Sequence, residues 1–310
     1  MSFAETCREE LIRIRLKNET ERLAQLCGLT MTAGGLRLFP APSVFYQTES
    51  LAVAKHIAQL AVSDYTLDSL IERKERESRS RALYTVKLGG RDSERYLVDT
   101  GALCYDEDGA HLLSTISAAA RAGEDAERAF LRGCFLGGGT CVDPKRSYHA
   151  EILCRVDSVA DEVANMLSAH GLHPRMMNRK DRIVVYLKEG DDVAGFLALI
   201  GASAGALSLE TVRTEKDMRN YVNRMANCET ANLDKQVVAS LKQRAAIRTI
   251  LENMKLTDLP SGLQEAAELR LDHPDATLGE LAEMAGIGRS GMNHRLTRLM
   301  ELAAELGGET

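Results

Sequence analysis

The segment from residue 289 to residue 298 concentrates side chains that can donate hydrogen bonds to nucleic-acid bases. Arginine can donate two parallel bonds to guanine, and asparagine can pair in a similar way with adenine. Between Glu283 and Glu301 the chain has no acidic residue that would repel a phosphate backbone. The residues that we expect to face outward and contact DNA are Arg289, Ser290, Asn293, His294, Thr297 and Arg298.

Residues 277–300 have the spacing of a helix-turn-helix, which would hold these side chains in place. A threonine followed three residues later by a glutamate predicts a capped helix start. A small residue then allows a close helix crossing, a glycine permits a positive φ at the turn, and an apolar residue fixes the second helix. These positions are Thr277, Glu280, Ala282, Gly286 and Met292. We therefore predict DNA binding, with a helical protein-interaction module as the alternative.

A basic segment precedes this motif. Residues 213–248 contain eight Lys or Arg and four Asp or Glu, whereas the whole chain has a net charge of −6. Such a local excess of positive charge can contact phosphates. The cations that could lie near one helix face are Arg213, Lys216, Arg219 and Arg224. A solvated connecting helix without a ligand is the alternative interpretation.

The first two-thirds of the chain repeats one order of elements, which predicts a tandem α+β domain. After a lead-in helix at 3–16, each unit is predicted as α-β-β-α-β-β-α, and the first unit closes with a helix at about 92–104. The charged loop 72–81 lengthens the first unit. The predicted units are about 19–105 and 127–205, inside a domain at 1–210 that is followed by a basic linker at 211–240 and an all-α helix-turn-helix domain at 241–310.

The helices that open the two units contain small residues at spacings that let two helix backbones approach closely. Their sequences, LAQLCGLTM at 23–31 and LRGCFLGGG at 131–139, resemble degenerate versions of the LAGLIDADG helix of homing endonucleases. That family folds as a pseudo-twofold pair of αββαββα units, and its eighth motif residue is an acid that binds the catalytic metal. The matching residues here are Thr30 and Gly138, which cannot be anionic ligands. The resemblance therefore implies a non-catalytic domain without a metal or cofactor.

Other groups could do chemistry, but each has a simpler interpretation. Asp143 could serve a metal-dependent nuclease, although a proline-containing turn explains it better. Cys134 and Cys141 could hold a metal with a histidine, but no second ligand pair accompanies them. The seven cysteines form no CxxC pair, which favours reduced thiols in the cytosol. No apolar run approaches the roughly 20 residues that a membrane span needs, so no membrane association is expected.

The two LAGLIDADG-like segments, the sequence RNYVNRMANCETANLDK at 219–235 and the terminal helix-turn-helix together resemble the WhiA family of bacterial regulators over essentially the whole chain. This resemblance implies a non-enzymatic transcription regulator that binds promoter DNA through its C-terminal domain. It further implies a role in cell division and chromosome segregation, or in sporulation, at the nucleoid in the cytoplasm. Double-stranded DNA is the expected partner, and another transcription regulator or RNA polymerase is a second candidate. A metal-dependent nuclease that uses other acids and a protein-interaction scaffold are the alternatives.

Overall fold

The computed structural model describes residues 2–75, 82–107, 109–112 and 116–307. Two compact units divide the chain, Met1–Lys216 and Asp217–Thr310. Part of the predicted charged loop, residues 76–81, lies outside the described residues. No described helix is both long enough and apolar enough to cross a membrane.

The first unit begins with α1 (Phe3–Leu11) and then repeats one series of elements. The first repeat consists of α2 (Glu19–Ala33), β1 (Gly34–Arg37), β2 (Ser43–Thr48), α3 (Leu51–Asp64), β3 (Asp68–Lys74), β4 (Leu83–Gly89) and α4 (Ser93–Asp99). A hairpin of β5 (Leu103–Asp106) and β6 (Gly109–Leu112) and a 3-10 turn (Ala118–Arg121) come next. The second repeat consists of α5 (Glu124–Gly138), β7 (Gly139–Cys141), β8 (Ala150–Cys154), α6 (Asp157–Ala169), β9 (Arg175–Arg179), β10 (Arg182–Leu187) and α7 (Gly190–Ile200).

Each repeat forms one antiparallel sheet of four strands, with the order β1-β2-β4-β3 in the first and β7-β8-β10-β9 in the second. The matching orders confirm the predicted tandem α+β fold. Two predicted helices were too long. The lead-in helix ends at Leu11 rather than at residue 16, and the helix predicted to reach residue 104 ends at Asp99. Gly101, with φ of 74°, ends the latter helix, and the unpredicted β5–β6 hairpin follows.

The central helices α2 and α5 contact each other through backbone atoms. A Cβ on Gly28 would lie 2.7 Å from the backbone nitrogen of Cys134. A Cβ on Gly133 would likewise lie 3.0 Å from the backbone nitrogen of Leu29. Because only a residue without a side chain fits at such a crossing, these two glycines fix how the repeats are joined. The buried side chains of both sheets pack around this helix pair.

The crossing of α2 and α5 shows that the residue-by-residue alignment predicted for these two helices was wrong. Gly28 is paired with Gly133, and Gly34 and Gly139 each begin the first strand of their repeat. The residue equivalent to Gly138 is therefore Ala33, and the predicted match to Thr30 was displaced by almost one helical turn. Thr30 instead lies in the core. Its hydroxyl group contacts the hydroxyl group of Tyr46 at 2.7 Å and, more loosely, that of Tyr96 at 3.3 Å.

The described residues of the second unit form helices and the turns between them. It contains most of α8 (Ser203–Asn253), a 3-10 turn (Leu256–Asp258), α9 (Ser261–Asp272), α10 (Leu278–Met284) and α11 (Arg289–Gly307). The predicted linker, residues 211–240, lies entirely within α8. The core of this unit comes from the end of α8 and from the inner faces of α9, α10 and α11.

The loop between α9 and α10 is held by donors from two helices. Arg270, which is only 3% exposed, donates to the carbonyl oxygen of Ala276 at 2.8 Å. Ser240 on α8 donates to the carbonyl oxygen of Pro274 at 2.6 Å. Burial away from water and the positive charge of nearby Arg244 lower the pKa of Arg270. These bonds set where α10 begins.

Candidate nucleic-acid interface

The first helix of the motif, α10, starts with the predicted capping box. The amide of Glu280 donates to the hydroxyl oxygen of Thr277 at 3.2 Å, and the amide of Thr277 donates to the Glu280 carboxylate at 2.7 Å. The latter bond lowers the pKa of Glu280 because it stabilises the ionised form. Reciprocal bonds of this kind satisfy amides that the helix itself leaves unpaired.

The turn after α10 has the geometry that its glycine predicts. Gly286 has a φ of 62°, in the left-handed region that residues with a side chain rarely adopt. Ile287 packs against the core of the second unit, and α11 begins two residues later at Arg289. Ala282 and Met292 are both buried where the two helices cross. The predicted helix-turn-helix is confirmed.

The inner and outer faces of α11 are clearly separated. Met292, Leu296 and Leu299 are at most 1% exposed and form the inner stripe. Thr297 is half-buried at the edge of the outer face. The other predicted contact residues are all exposed, namely Arg289, Ser290, Asn293, His294 and Arg298. Side chains with hydrogen-bonding groups therefore cover the exposed surface of the first turns of α11.

The end of α11 is electrostatically different from its beginning. Arg298 forms an ion pair with Glu301 at 2.9 Å and lies 3.9 Å from the carboxylate of Glu305. These carboxylates raise the pKa of Arg298 and partly neutralise its charge. Residues 289–297 of α11, by contrast, include two arginines and no acidic residue of their own.

Arg295, which lies among the predicted contacts, has a different role. Its guanidinium group pairs with Glu265 on α9 at 2.7 Å and covers Gly262, so that it ties α11 to α9. The sequence did not indicate this contact, because the partner lies 30 residues away.

The four cations of the basic segment have different surroundings within their own units. Arg213 pairs with Asp191 and Glu210 on the first unit. Lys216 donates to the carbonyl oxygen of Pro144 at 2.7 Å and lies 4.8 Å from the ring centre of Tyr148. The remaining two, Arg219 and Arg224, are exposed on α8. Since each residue advances a helix by about 100°, these two point in different directions.

In the first unit, arginine side chains contact the ends of both central helices. Arg155 donates to the carbonyl oxygen of Gly34, and also to that of Ala33 at 3.3 Å. Arg8 donates to the carbonyl oxygen of Gly139, the equivalent position at the end of α5. Burial lowers the pKa of Arg155 because it penalises the charged form. Guanidinium groups thus supply positive charge at the C-terminal ends of both central helices.

The end of α5 also leaves little room for an acid. A Cβ on Gly138 would lie 2.8 Å from the carbonyl oxygen of Leu153 and 3.1 Å from the Cβ of Thr32. The nearby Asp143 accepts a bond from the amide of Lys145 at 2.9 Å and caps the proline-containing turn. Within the described part of the chain, no three His, Cys, Asp or Glu side chains are grouped so that they could hold a metal ion.

All seven cysteines are unpaired thiols. The five on α1, α2, α5, β7 and β8 are buried, and burial raises the pKa of each. Because the thiolate is the reactive form, these five side chains act as small apolar residues of the core.

The structure thus combines a LAGLIDADG-like tandem domain with a helix-turn-helix domain. A family model described as "WhiA C-terminal HTH domain" matches residues 222–303. A second model, described as "WhiA LAGLIDADG-like domain", matches residues 127–219. The chain belongs to the WhiA family.

Relatives of similar length support this assignment. The probable cell division protein WhiA of Heliobacterium modesticaldum is 39% identical, with 98% of this chain and 96% of the relative covered. The protein of the same description from Alkaliphilus metalliredigens is 35% identical, with 98% of each chain covered. The crystal structure of full-length DUF199/WhiA from Thermatoga maritima covers 100% of both chains at 22% identity, with a TM-score of 0.63. At 22% identity, this structural similarity shows a shared fold.

Proposed function

We propose that this protein is a sequence-specific DNA-binding transcription regulator that reads promoter DNA through the beginning of α11. The observation that carries the proposal is the exposed, acid-free surface of residues 289–297, which the Gly286 turn places at the start of a helix. An α-helix fits the major groove, where each base pair presents a distinct pattern of donors and acceptors. In helix-turn-helix proteins the first residues of the second helix make these base contacts.

The residues of this surface divide into two roles. Arg289 and Asn293 lie one helical turn apart and can each make bidentate contacts with a base. Ser290, His294 and Thr297 lie beside them and can contact phosphates or further base edges. Arg298 makes a weaker contact because of its carboxylate neighbours.

Arg219 and Arg224 on α8 could add contacts with phosphates, which strengthen binding to any sequence. Arg213 and Lys216 contribute less in this proposal, because both contact the first unit.

The relatives bear the description of a probable cell division protein. By analogy, we propose that the genes under control act in cell division and chromosome segregation, or in sporulation. The protein would act at the nucleoid in the cytoplasm, with RNA polymerase or another transcription regulator as a further partner.

The affinity for promoter DNA should fall steeply with salt concentration, because contacts with phosphates release bound counterions. With three to five phosphates neutralised by Lys or Arg, the slope of log K against log salt would be roughly −2.7 to −4.5. Fluorescence anisotropy with labelled promoter fragments at several salt concentrations measures this slope. A flat response would contradict the proposal and favour a protein-interaction scaffold.

The first unit is non-catalytic in this proposal, although its fold is related to that of homing endonucleases. Ala33 and Gly138 stand at the helix ends, and neither can bind a cation through a carboxylate. The guanidinium groups of Arg155 and Arg8 contact the same ends and would repel a divalent cation.

We expect the purified protein not to nick supercoiled plasmid in Mg²⁺ or Mn²⁺. Agarose gels that resolve nicked from supercoiled plasmid provide the measurement, with a metal-free sample as the control. Metal-dependent nicking that co-purifies with the full chain would support the nuclease alternative and refute the non-catalytic assignment.

A further inference from the structure

An apolar groove of about 400 Å³ lies between α8 and α11 in the second unit. Val238 and Ala239 from α8 and Met300 from α11 form its walls. Val238 is 50% exposed, although its side chain is entirely apolar. Neighbouring Val237 and Leu241 are also more than half exposed and extend the apolar surface beyond the groove. Contiguous exposed apolar surface of this kind marks interaction sites.

One residue of the groove lining has a buried polar atom that the fold leaves unsatisfied. Gln243, which lines the groove, is only 8% exposed. Among the described residues, its side-chain oxygen Oε1 has no hydrogen-bond partner. Buried acceptors without a donor are rare, because losing contact with water costs free energy that only a new hydrogen bond offsets. A ligand that draws the Gln243 side chain toward the groove and donates to its oxygen would recover this cost.

The charged residues beside the groove indicate whether its ligand is acidic or basic. Lys235 and Lys242 are exposed cations that line it, and Asp234 is the one acidic residue that the described part of the chain contributes to the lining. The electrostatic balance therefore favours an acidic ligand.

A protein segment matches all three features better than DNA does. The phosphate groups of DNA offer only acceptors, so they cannot donate to Gln243 Oε1 and would place negative charge beside it. A polypeptide has a backbone N–H at almost every residue and can carry apolar and carboxylate side chains together.

We propose that this groove binds a short acidic and apolar segment of another protein. An apolar side chain of that segment lies against Val238 and Met300, and one of its N–H groups donates to Gln243 Oε1. Its carboxylates contact Lys235 and Lys242. The proposal does not depend on DNA binding by α11.

The first test is selection from a random dodecapeptide display library on the full-length protein, with the variant Val238→Arg as the counter-selection. We expect enriched peptides that combine large apolar residues with Asp or Glu. The double change Lys235→Glu and Lys242→Glu should weaken their binding about tenfold or more. The change Arg289→Ala on α11 is the matched control and should leave peptide affinity unchanged. Basic peptides, or peptides that bind Val238→Arg equally well, would overturn the proposal.

The second test separates a binding role of Gln243 from a structural one. In Gln243→Met the unsatisfied acceptor is replaced by an apolar side chain of similar length, so the melting temperature should stay the same or rise. Affinity for the selected peptides should nevertheless fall, and the peptides should shift the methyl NMR signal of Met300. A lower melting temperature with unchanged peptide affinity would show that the amide is structural. A shift of the Met300 signal by duplex DNA, but not by peptide, would also contradict the proposal.

Discussion

Replacing Gly133 by alanine should destabilise the first unit by about 3 kcal/mol or more. The added methyl group would lie 3.0 Å from the backbone nitrogen of Leu29 and closer still to the carbonyl oxygen of Gln25. Both atoms belong to the backbone of α2, which cannot move aside without separating the helices at the centre of the core. Urea unfolding followed by circular dichroism gives the change in the free energy of unfolding.

Gly190→Ala is the matched control, since Gly190 begins α7 in the same unit. A Cβ there would meet its nearest neighbour at 3.5 Å, an ordinary contact, so the change should be neutral or slightly stabilising. Equal stability of Gly133→Ala and Gly190→Ala would show that α2 and α5 do not meet through their backbones. The assignment of Ala33 as the equivalent of Gly138 would then rest only on the strand starts at Gly34 and Gly139.

Replacing both Arg289 and Asn293 by alanine should weaken binding to a specific promoter fragment about 30-fold or more. Each bidentate base contact contributes about 1–3 kcal/mol, so loss of two gives roughly 2–6 kcal/mol. Because both side chains are exposed, the stability of the protein should not change. Competition between the specific fragment and unrelated duplex DNA in gel-shift experiments measures the loss of specificity.

Arg248→Ala is the control for charge, because it removes one exposed cation from α8 and leaves α11 intact. It should reduce affinity for specific and unrelated DNA by a similar, small factor. An equal loss from Arg248→Ala and from the α11 variant would mean that α11 contributes only charge.

The helix-turn-helix could be predicted from the sequence because its determinants are local. The capping box of Thr277 and Glu280 and the positive φ of Gly286 depend on residues within one or two turns of each other. The spacing of buried residues along α11 likewise indicated which face points outward.

The register of the LAGLIDADG-like helices could not be predicted in the same way. The sequence of α2 has a leucine at both position 23 and position 26, so two alignments with the motif are possible. The approach of Gly28 to Gly133, which are distant in sequence, and the starts of β1 and β7 at Gly34 and Gly139 decide between them. The pairing of Arg155 with Gly34 and of Arg295 with Glu265 escaped prediction for the same reason.

The β5–β6 hairpin was not predicted for a different reason. Residues 101–104 contain a glycine followed by apolar residues, which also suit the end of a helix. The positive φ of Gly101 stops α4, and pairing with β6 then makes this short segment a strand.

Genome-wide mapping of bound DNA tests the central proposal most directly, when the wild-type protein is compared with the Arg289→Ala, Asn293→Ala variant at equal expression. We expect wild-type binding at discrete promoter sites that share a sequence motif. Those sites should disappear in the variant, which should retain only diffuse, salt-sensitive binding. An unchanged set of sites in the variant would contradict sequence recognition by α11.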